Sequence, residues 1–476
     1  MTQRHSASRE LLGGSARVFV AESIALPAGL ITAAFLARRL GPSGYGVFTL
    51  TMAIVAWVEW TLASLLARAA VKVISDAEDW RPAAAAALRF YAVSGAVGFV
   101  AMWLAAGPLE SLMHEPGLAR HVRLIAFDVP LFMLSQAHQQ VLVGTGQYER
   151  RAIVGAWRWT ARVALIVGFV LGGLSIDGAL AGVVAASAIE LVVARRFVQP
   201  GFSHPSHVEA KAMWAYALPL FAAAASLRLF DKLDLFVLKA LGGSATLAGV
   251  YGAAQNLTII PNLVALSVTT LLLSTLSRAL RTGDTDGAHR LATNALRGVL
   301  VLFPFVGVAA GAATGLATLI YGSAFADTGP LLAVLIFAAL AVVMISVASS
   351  ILTAIGKPAW AMWATLPIAP LAFAGHMAVI PPFGAPGATY VTLGVAALGA
   401  LGALVAVYRA WHVAPPLATV MRCAVVAIAM TFAGTWWQTT GVMVVVELAV
   451  MSAVAIALLA ALGERVKIIV AERSED

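Results

Sequence analysis

The sequence predicts an all-α polytopic membrane protein of about fourteen transmembrane helices, in two six-helix lobes related by a parallel repeat, followed by a C-terminal helix pair. Three observations predict this: composition, the spacing of apolar windows, and the placement of basic residues. Of 476 residues, 61% are hydrophobic and 11% charged, with a mean hydropathy of +0.90, against about 45–50% and about 25% in soluble domains. Fourteen spans of about 20 residues use about 280 residues and leave no room for a soluble domain of ordinary size. The net charge is +8, but the basic residues stand singly between apolar runs rather than on one face, which excludes nucleic acid as a partner.

Apolar windows of spanning length fall at 18–37, 46–66, 86–106, 123–143, 157–173 and 179–194, punctuated by Gly, Pro and charged clusters. They resume at 217–239, 250–276, 298–320, 331–354, 361–380 and 388–408, then at 421–438 and 442–462. The resulting organisation is an N-terminal lobe over 1–194, a cytoplasmic linker over 195–216, a C-terminal lobe over 217–410, and a helix pair with a cytoplasmic tail over 411–476. The polar, basic start of the chain is followed by an apolar run with no small-x-small cleavage pattern, so that run reads as a retained first helix. In lipid these spans must be helical, because unpaired backbone groups of an open strand would have no water to satisfy them.

Orientation follows from the positive-inside rule. With both termini cytoplasmic, 24 of the 31 Lys and Arg fall on inner segments and their flanks, including Arg150, Arg151, Arg158 and Arg162. Arg38, Arg39, Arg120 and Arg123 fall outside, and Arg228, Lys232 and Lys239 belong to the seventh helix. The external loops are all short, which argues against an enzyme that polymerises or ligates glycans with acids on a large external loop. Phosphate-loop, His-Glu-x-x-His and Gly-x-Ser-x-Gly patterns are absent from the sequence, so ATP hydrolysis is not expected. Cys423 is the single cysteine, which excludes an intramolecular disulfide, CxxC redox chemistry and a cysteine metal cage.

An internal repeat supports two similar lobes. LARRLGPSGYGVFTLTMA (36–53) echoes LKALGGSATLAGVYGAAQNLT (238–258), each with a Leu-Gly step, a short loop and a Tyr-Gly opening the next helix. VLVGTGQYERRAIVGAW (141–157) echoes ILTAIGKPAWAMWATL (351–366) at nearly the same offset. Each echo joins a helix to its counterpart six helices later, so the repeat axis should run along the membrane normal.

The seventh helix concentrates the charge. Arg228, Asp231, Lys232 and Asp234 begin near its midpoint, and four central charges oppose insertion by roughly 10–14 kcal/mol before any pairing. Spacings of three and four place Arg228, Asp231 and Lys232 on one face, with Asp234 beside Asp231. That face therefore looks into protein or a watery cavity. It serves either as an ion-pair network, Arg228 with Asp231 and Lys232 with Asp234, or as a substrate-binding wall whose cations attract an anion. Glu59 lies deep in the second helix and Asp128 in the outer part of the fourth. A carboxylate held away from water favours its neutral form, so it can exchange a proton or hold Na⁺, and these two are the candidate ion-coupling residues. Glu22, Glu190 and Glu447 read as interfacial or structural. Gln255, Asn256 and Asn262 open the eighth helix around Pro261, and Pro27 interrupts the first; such breaks bend a helix and expose carbonyls to a substrate, or serve packing. His376 stands alone, without metal partners in sequence.

The opening RVFVAESIALPAGLITAAFLARRLGPSGYGVFTLTMAIVAWVEW, with its Leu-Gly-Pro-x-x-Tyr-Gly loop, resembles the polysaccharide biosynthesis (O-antigen) flippases of the multidrug/oligosaccharidyl-lipid/polysaccharide exporter superfamily. RLFDKLDLFVLKALGGSATLAGVYGAAQNLTIIPNLVALSVTTLLLSTLSRAL resembles their seventh and eighth helices. The resemblance implies two lobes around a central cavity, alternating access, and passage of an undecaprenyl-diphosphate-linked oligosaccharide to the outer leaflet of a bacterial cytoplasmic membrane for O-antigen, capsule or exopolysaccharide assembly. It implies that Arg228 and Lys232 meet the diphosphate or acidic sugars, with Asp231, Asp234, Gln255 and Asn256 nearby, and that Glu59 or Asp128 binds a coupling Na⁺ or H⁺. No other cofactor is expected, and a polysaccharide polymerase and glycosyltransferases are the implied protein partners. A multidrug/cation antiporter and a lipid II flippase are the alternatives; the first would favour an acidic cavity, the second cations in both lobes.

Overall fold

Residues 23–201 and 228–464 are described by the computed structural model, and among them every regular element is a helix. The first helix, α1 (Ala25–Asp76), contains the second apolar window and residues 25–37 of the first, divided at Gly41, whose φ of 67° only glycine adopts without strain. Pro27 lies in the first turn of α1 and the helix runs on past it, so the interruption falls at the Leu-Gly step instead. There follow α2 (Trp80–Met113), capped by the Asp79 side chain on the Arg81 N–H, then α3 (Leu118–Ala126) and α4 (Asp128–Gly144), one span interrupted at Phe127. The fifth and sixth windows become α5 (Tyr148–Phe169) and α6 (Ser175–Phe197), joined by a π-turn at Val170–Leu174. Residues 18–22, with Glu22, most of the linker (202–216) and the first part of the seventh window (217–227) lie outside the described residues; α7 is described over 228–240.

The eighth window is split at Thr258, three residues before Pro261, into α8 (Ala245–Leu257) and α9 (Ile259–Arg281). The ninth consists of α10 (Thr285–Val301), α11 (Phe303–Gly311) and α12 (Ala313–Tyr321), and the tenth of α13 (Thr328–Ala354). Then come α14 (Pro358–Thr365), α15 (Ile368–Trp411, bent at Gly384), α16 (Leu417–Trp436) and α17 (Met443–Ala461). Eight described helical stretches are long and apolar enough to cross a membrane. The protein is a multi-pass membrane protein.

The chain divides into two compact units, residues 1–249 and 250–476, with the division inside α8. In the first, α4 packs on α1, α2 and α6, and α5 packs on α6 and α1. In the second, α13 is central, packing on α9, α11 and α15, while α16 and α17 dock on α11. That docking buries Val308, Cys423, Met430, Met451 and Leu459 in one cluster.

The repeat seen in sequence is a repeat of local structure. Gly146 and Gly356 have φ of 74° and 76°, and the same bonds surround them: Gly146 N–H to Val143 O (3.0 Å) and Gln147 N–H to Leu142 O (2.7 Å), against Gly356 N–H to Thr353 O (3.1 Å) and Lys357 N–H to Leu352 O (2.9 Å). Each closes one helix and aims the next. Tyr45 and Tyr251 are both fully buried. Where α1 restarts after Gly41, Gly46 crosses the start of α8 at Gly249: a Cβ on Gly46 would lie 1.9 Å from the Ala245 carbonyl oxygen, and one on Gly249 2.0 Å from that of Pro42. Pro42-x-x-x-Gly46 against Ala245-x-x-x-Gly249 is a small-x-x-x-small crossing, which brings backbones into van der Waals contact where lipid offers no hydrophobic drive.

Candidate functional site

The first unit holds a buried polar cluster built from four helices. Glu59 comes from α1, Asp128 is the first residue of α4, Arg158 and Arg162 lie one turn apart on α5, and Glu190 comes from α6. Glu190 is fixed from two sides: Arg158 Nη1 lies 3.4 Å from its Oε2, and Gln139 Nε2 donates to its Oε1 at 2.9 Å. The Arg158 guanidinium also lies 4.7 Å from the centroid of the Phe132 ring, and that of Arg162 5.4 Å from the Trp159 centroid. Glu59 and Asp128 interact electrostatically with each other and with both arginines.

Asp128 is fully buried and Glu59 nearly so, yet neither Asp128 oxygen, nor Glu59 Oε1, accepts a hydrogen bond from the described residues. A buried polar oxygen without a partner forfeits its hydration uncompensated. Two such carboxylates side by side repel, and a proton or a small monovalent cation between them offsets that repulsion. The two carboxylates singled out in sequence are thus brought together. Arg158 and Arg162, counted with the inner flank by the positive-inside reading, instead lie about 15 and 21 Å along α5 from its start. They are counter-charges within the span. The signal for this was present, since Arg158 and Arg162 lie seven and eleven residues beyond Arg151, with no other charged residue between Arg151 and Arg162.

The second cluster is on α7. Arg228 Nη1 pairs with Asp231 Oδ2 at 3.7 Å, both side chains about half exposed, as the ion-pair reading expected. The guanidinium also lies over the Trp60 ring at 5.2 Å, one residue from Glu59. Lys232 is half-buried and Asp234 buried, with Asp234 Oδ1 accepting the Leu235 N–H at 2.8 Å. The face therefore grades from exposed cation to buried acid. Further along α7, Lys239 is buried and its ammonium lies 2.7 Å from Glu115 Oε2 while donating to Gly243 O at 2.9 Å; sequence reading had not paired these. Gln255 and Asn256 belong to the second unit, half-buried on α8 one turn before the Thr258 break. Glu447 accepts from the Thr439 hydroxyl and N–H, closing the α16–α17 connection, in keeping with a structural role. Among the described residues no group of three His, Cys, Asp or Glu side chains is placed to hold a metal.

Residues 11–279, more than half of the chain, match the family model described as polysaccharide biosynthesis protein. The chain belongs to that family. No curated protein matches this polysaccharide biosynthesis family member in sequence. Its fold is similar to that of the lipid II flippase MurJ in an inward closed conformation (TM-score 0.77, 12% identity, covering 93% of this chain and 98% of that one). It is also similar to an inward-facing multidrug resistance MATE transporter of the MOP superfamily (TM-score 0.67, 14% identity, 86% and 98%). A MOP-superfamily transporter from Pyrococcus furiosus shares the fold at TM-score 0.61 and 16% identity, with 87% and 95% covered.

Proposed function

We propose that this polysaccharide biosynthesis protein is a flippase that carries an undecaprenyl-diphosphate-linked oligosaccharide from the inner to the outer leaflet of a bacterial cytoplasmic membrane by alternating access, without chemical change to its cargo. The observation that carries the reading is Arg228, a half-exposed guanidinium held over Trp60 on a membrane helix within the stretch matched by the family. A diphosphate is a bidentate match for a guanidinium, and Lys232 adds a second cation. Asp231, Asp234, Gln255 and Asn256 offer hydrogen-bonding groups of the kind that hold sugar hydroxyls. Glu59 and Asp128 carry the coupling ion, Na⁺ or H⁺, because both are buried and Glu59 Oε1 and both Asp128 oxygens accept no hydrogen bond from the described residues, which favours binding one. The exported glycan serves O-antigen, capsule or exopolysaccharide assembly, handed on to a polymerase after glycosyltransferases have built it.

The test is transfer of a fluorescent undecaprenyl-diphosphate oligosaccharide between proteoliposome leaflets. Wild-type transfer that is lost in Arg228→Ala and that becomes insensitive to an ion gradient in Glu59→Gln supports the reading. Likeness to the MurJ fold favours a second cargo, lipid II; transfer of lipid II and not of the glycan would move the assignment there. Efflux of cationic dyes with no lipid transfer would move it to the antiporters.

A further inference from the structure

We propose that the second unit carries a specific site for an anionic glycerophospholipid, in a groove between α14–α15 and the returning half of α15. The groove has a volume of about 640 Å³ and is walled by Trp360, Trp363 and Leu371 on one side and Leu398 and Val405 on the other. Its floor is Gly399, Gly402 and Ala406, and a Cβ built on Gly402 would meet nothing within 4 Å. Pro367 opens the slot by breaking the span between α14 and α15. The lining is apolar along its length, and Trp363 is 67% exposed, so water is a poor occupant and a hydrocarbon chain a good one.

One end is cationic. Arg409 closes the groove and has no hydrogen-bond or ion-pair partner among the described residues. Next to it a second cavity of about 540 Å³ is lined by Lys357, Ala410 and Trp411, with the Lys357 ammonium donating to Ala410 O at 3.0 Å. No Asp or Glu lines either cavity. From Val395 to Arg409 the groove follows fourteen residues of helix, about 21 Å, which equals one leaflet, half of a bilayer about 40–45 Å thick with its headgroups. The length suits one acyl chain, and two uncompensated cations at the headgroup level suit a phosphate that carries net charge. Zwitterionic lipid brings its own ammonium and gains less. This site is independent of the transported cargo: none of its residues belongs to the candidate cargo or coupling clusters.

Delipidated full-length protein is offered equal amounts of phosphatidylglycerol and phosphatidylcholine with identical chains, and retained lipid is counted by native mass spectrometry. Each cation contributes about a fivefold preference for the anionic lipid. The wild type is expected to prefer phosphatidylglycerol roughly 25-fold, Arg409→Gln and Lys357→Gln about fivefold less each, and Gly402→Leu to retain less of both lipids by filling the slot. Equal retention of both lipids by the wild type, or an undiminished preference in the Arg409→Gln/Lys357→Gln double variant, would overturn the site. In a third arm, undecaprenyl phosphate that displaces phosphatidylglycerol at equal concentration would reassign the groove to the cargo's tail. Should Gly402→Leu fold poorly, the exposed Arg409→Gln carries the test alone.

Discussion

Lys239 Nζ lies 2.7 Å from Glu115 Oε2, with the lysine side chain 2% exposed, so a buried charge pair ties the end of α7 to the connection between α2 and α3. Removing one partner of such a pair strands the other charge and costs about 3–5 kcal/mol, whereas replacing both by apolar side chains is close to neutral. Lys239→Met is therefore expected to destabilise strongly and Lys239→Met/Glu115→Leu to recover most of the loss. Denaturation midpoints of the four proteins in one detergent check this; a double variant as unstable as the single would refute it.

Gly46 and Gly249 are expected to behave as one contact. An alanine at either position meets a backbone oxygen at about 2 Å and pushes α1 from α8, an overpacking cost of about 1–3 kcal/mol. Once the helices are apart the second methyl has room, so Gly46→Ala/Gly249→Ala should cost clearly less than the two single changes together. A thermal-stability cycle measures the coupling.

Arg228 and Arg158 should separate function from stability. Arg228 is half exposed, so losing its contacts with Asp231 and Trp60 is expected to cost about 0.5–1 kcal/mol, while the proposed lipid transfer should be lost. Arg158→Ala leaves Glu190 buried beside Gln139 without its cation, at about 3 kcal/mol or more, and Arg158→Ala/Glu190→Gln should regain stability. Parallel melting and transport assays distinguish the two residues.

Glu464, just past α17, supplies a pH signature outside the membrane spans. Burial opposes its ionisation, but hydrogen bonds from Arg297, Thr419 and Arg422 outweigh this and hold its carboxyl below the usual range. A depressed folded value means the stabilisation is complete above the unfolded value, about pH 4.3, and disappears as pH falls through the lower folded value. Wild type should exceed Glu464→Gln in stability at neutral pH, with the two converging on further acidification. A constant gap down to pH 3 would contradict this.

Much of the helical layout was legible because an apolar run of spanning length has one structural outcome in lipid. The Leu-Gly and Gly-[Gln/Lys] steps of the repeat were legible too, since only glycine relieves the positive φ found at Gly41, Gly146 and Gly356. The interruptions at Phe127, Leu302 and Ala312 were not, because a single displaced residue leaves apolar periodicity intact. For the charged residues, the Arg228–Asp231 contact, half of the ion-pair alternative that sequence spacing left open, is present because both lie on one helix.

By itself, the sequence determined that the chain spans a membrane many times as helices, and that Glu59, Asp128 and the α7 charges need an explanation. Hydropathy and helical period are local properties and are readable one segment at a time. Only the tertiary structure decided which charges answer one another. Asp128 joins Glu59, Arg158 and Glu190 through the packing of α1, α4, α5 and α6, and Lys239 reaches Glu115 across more than a hundred residues of chain. In a low-dielectric interior a charge is defined by its neighbours within a few ångströms, and those neighbours are set by packing, not by order along the chain.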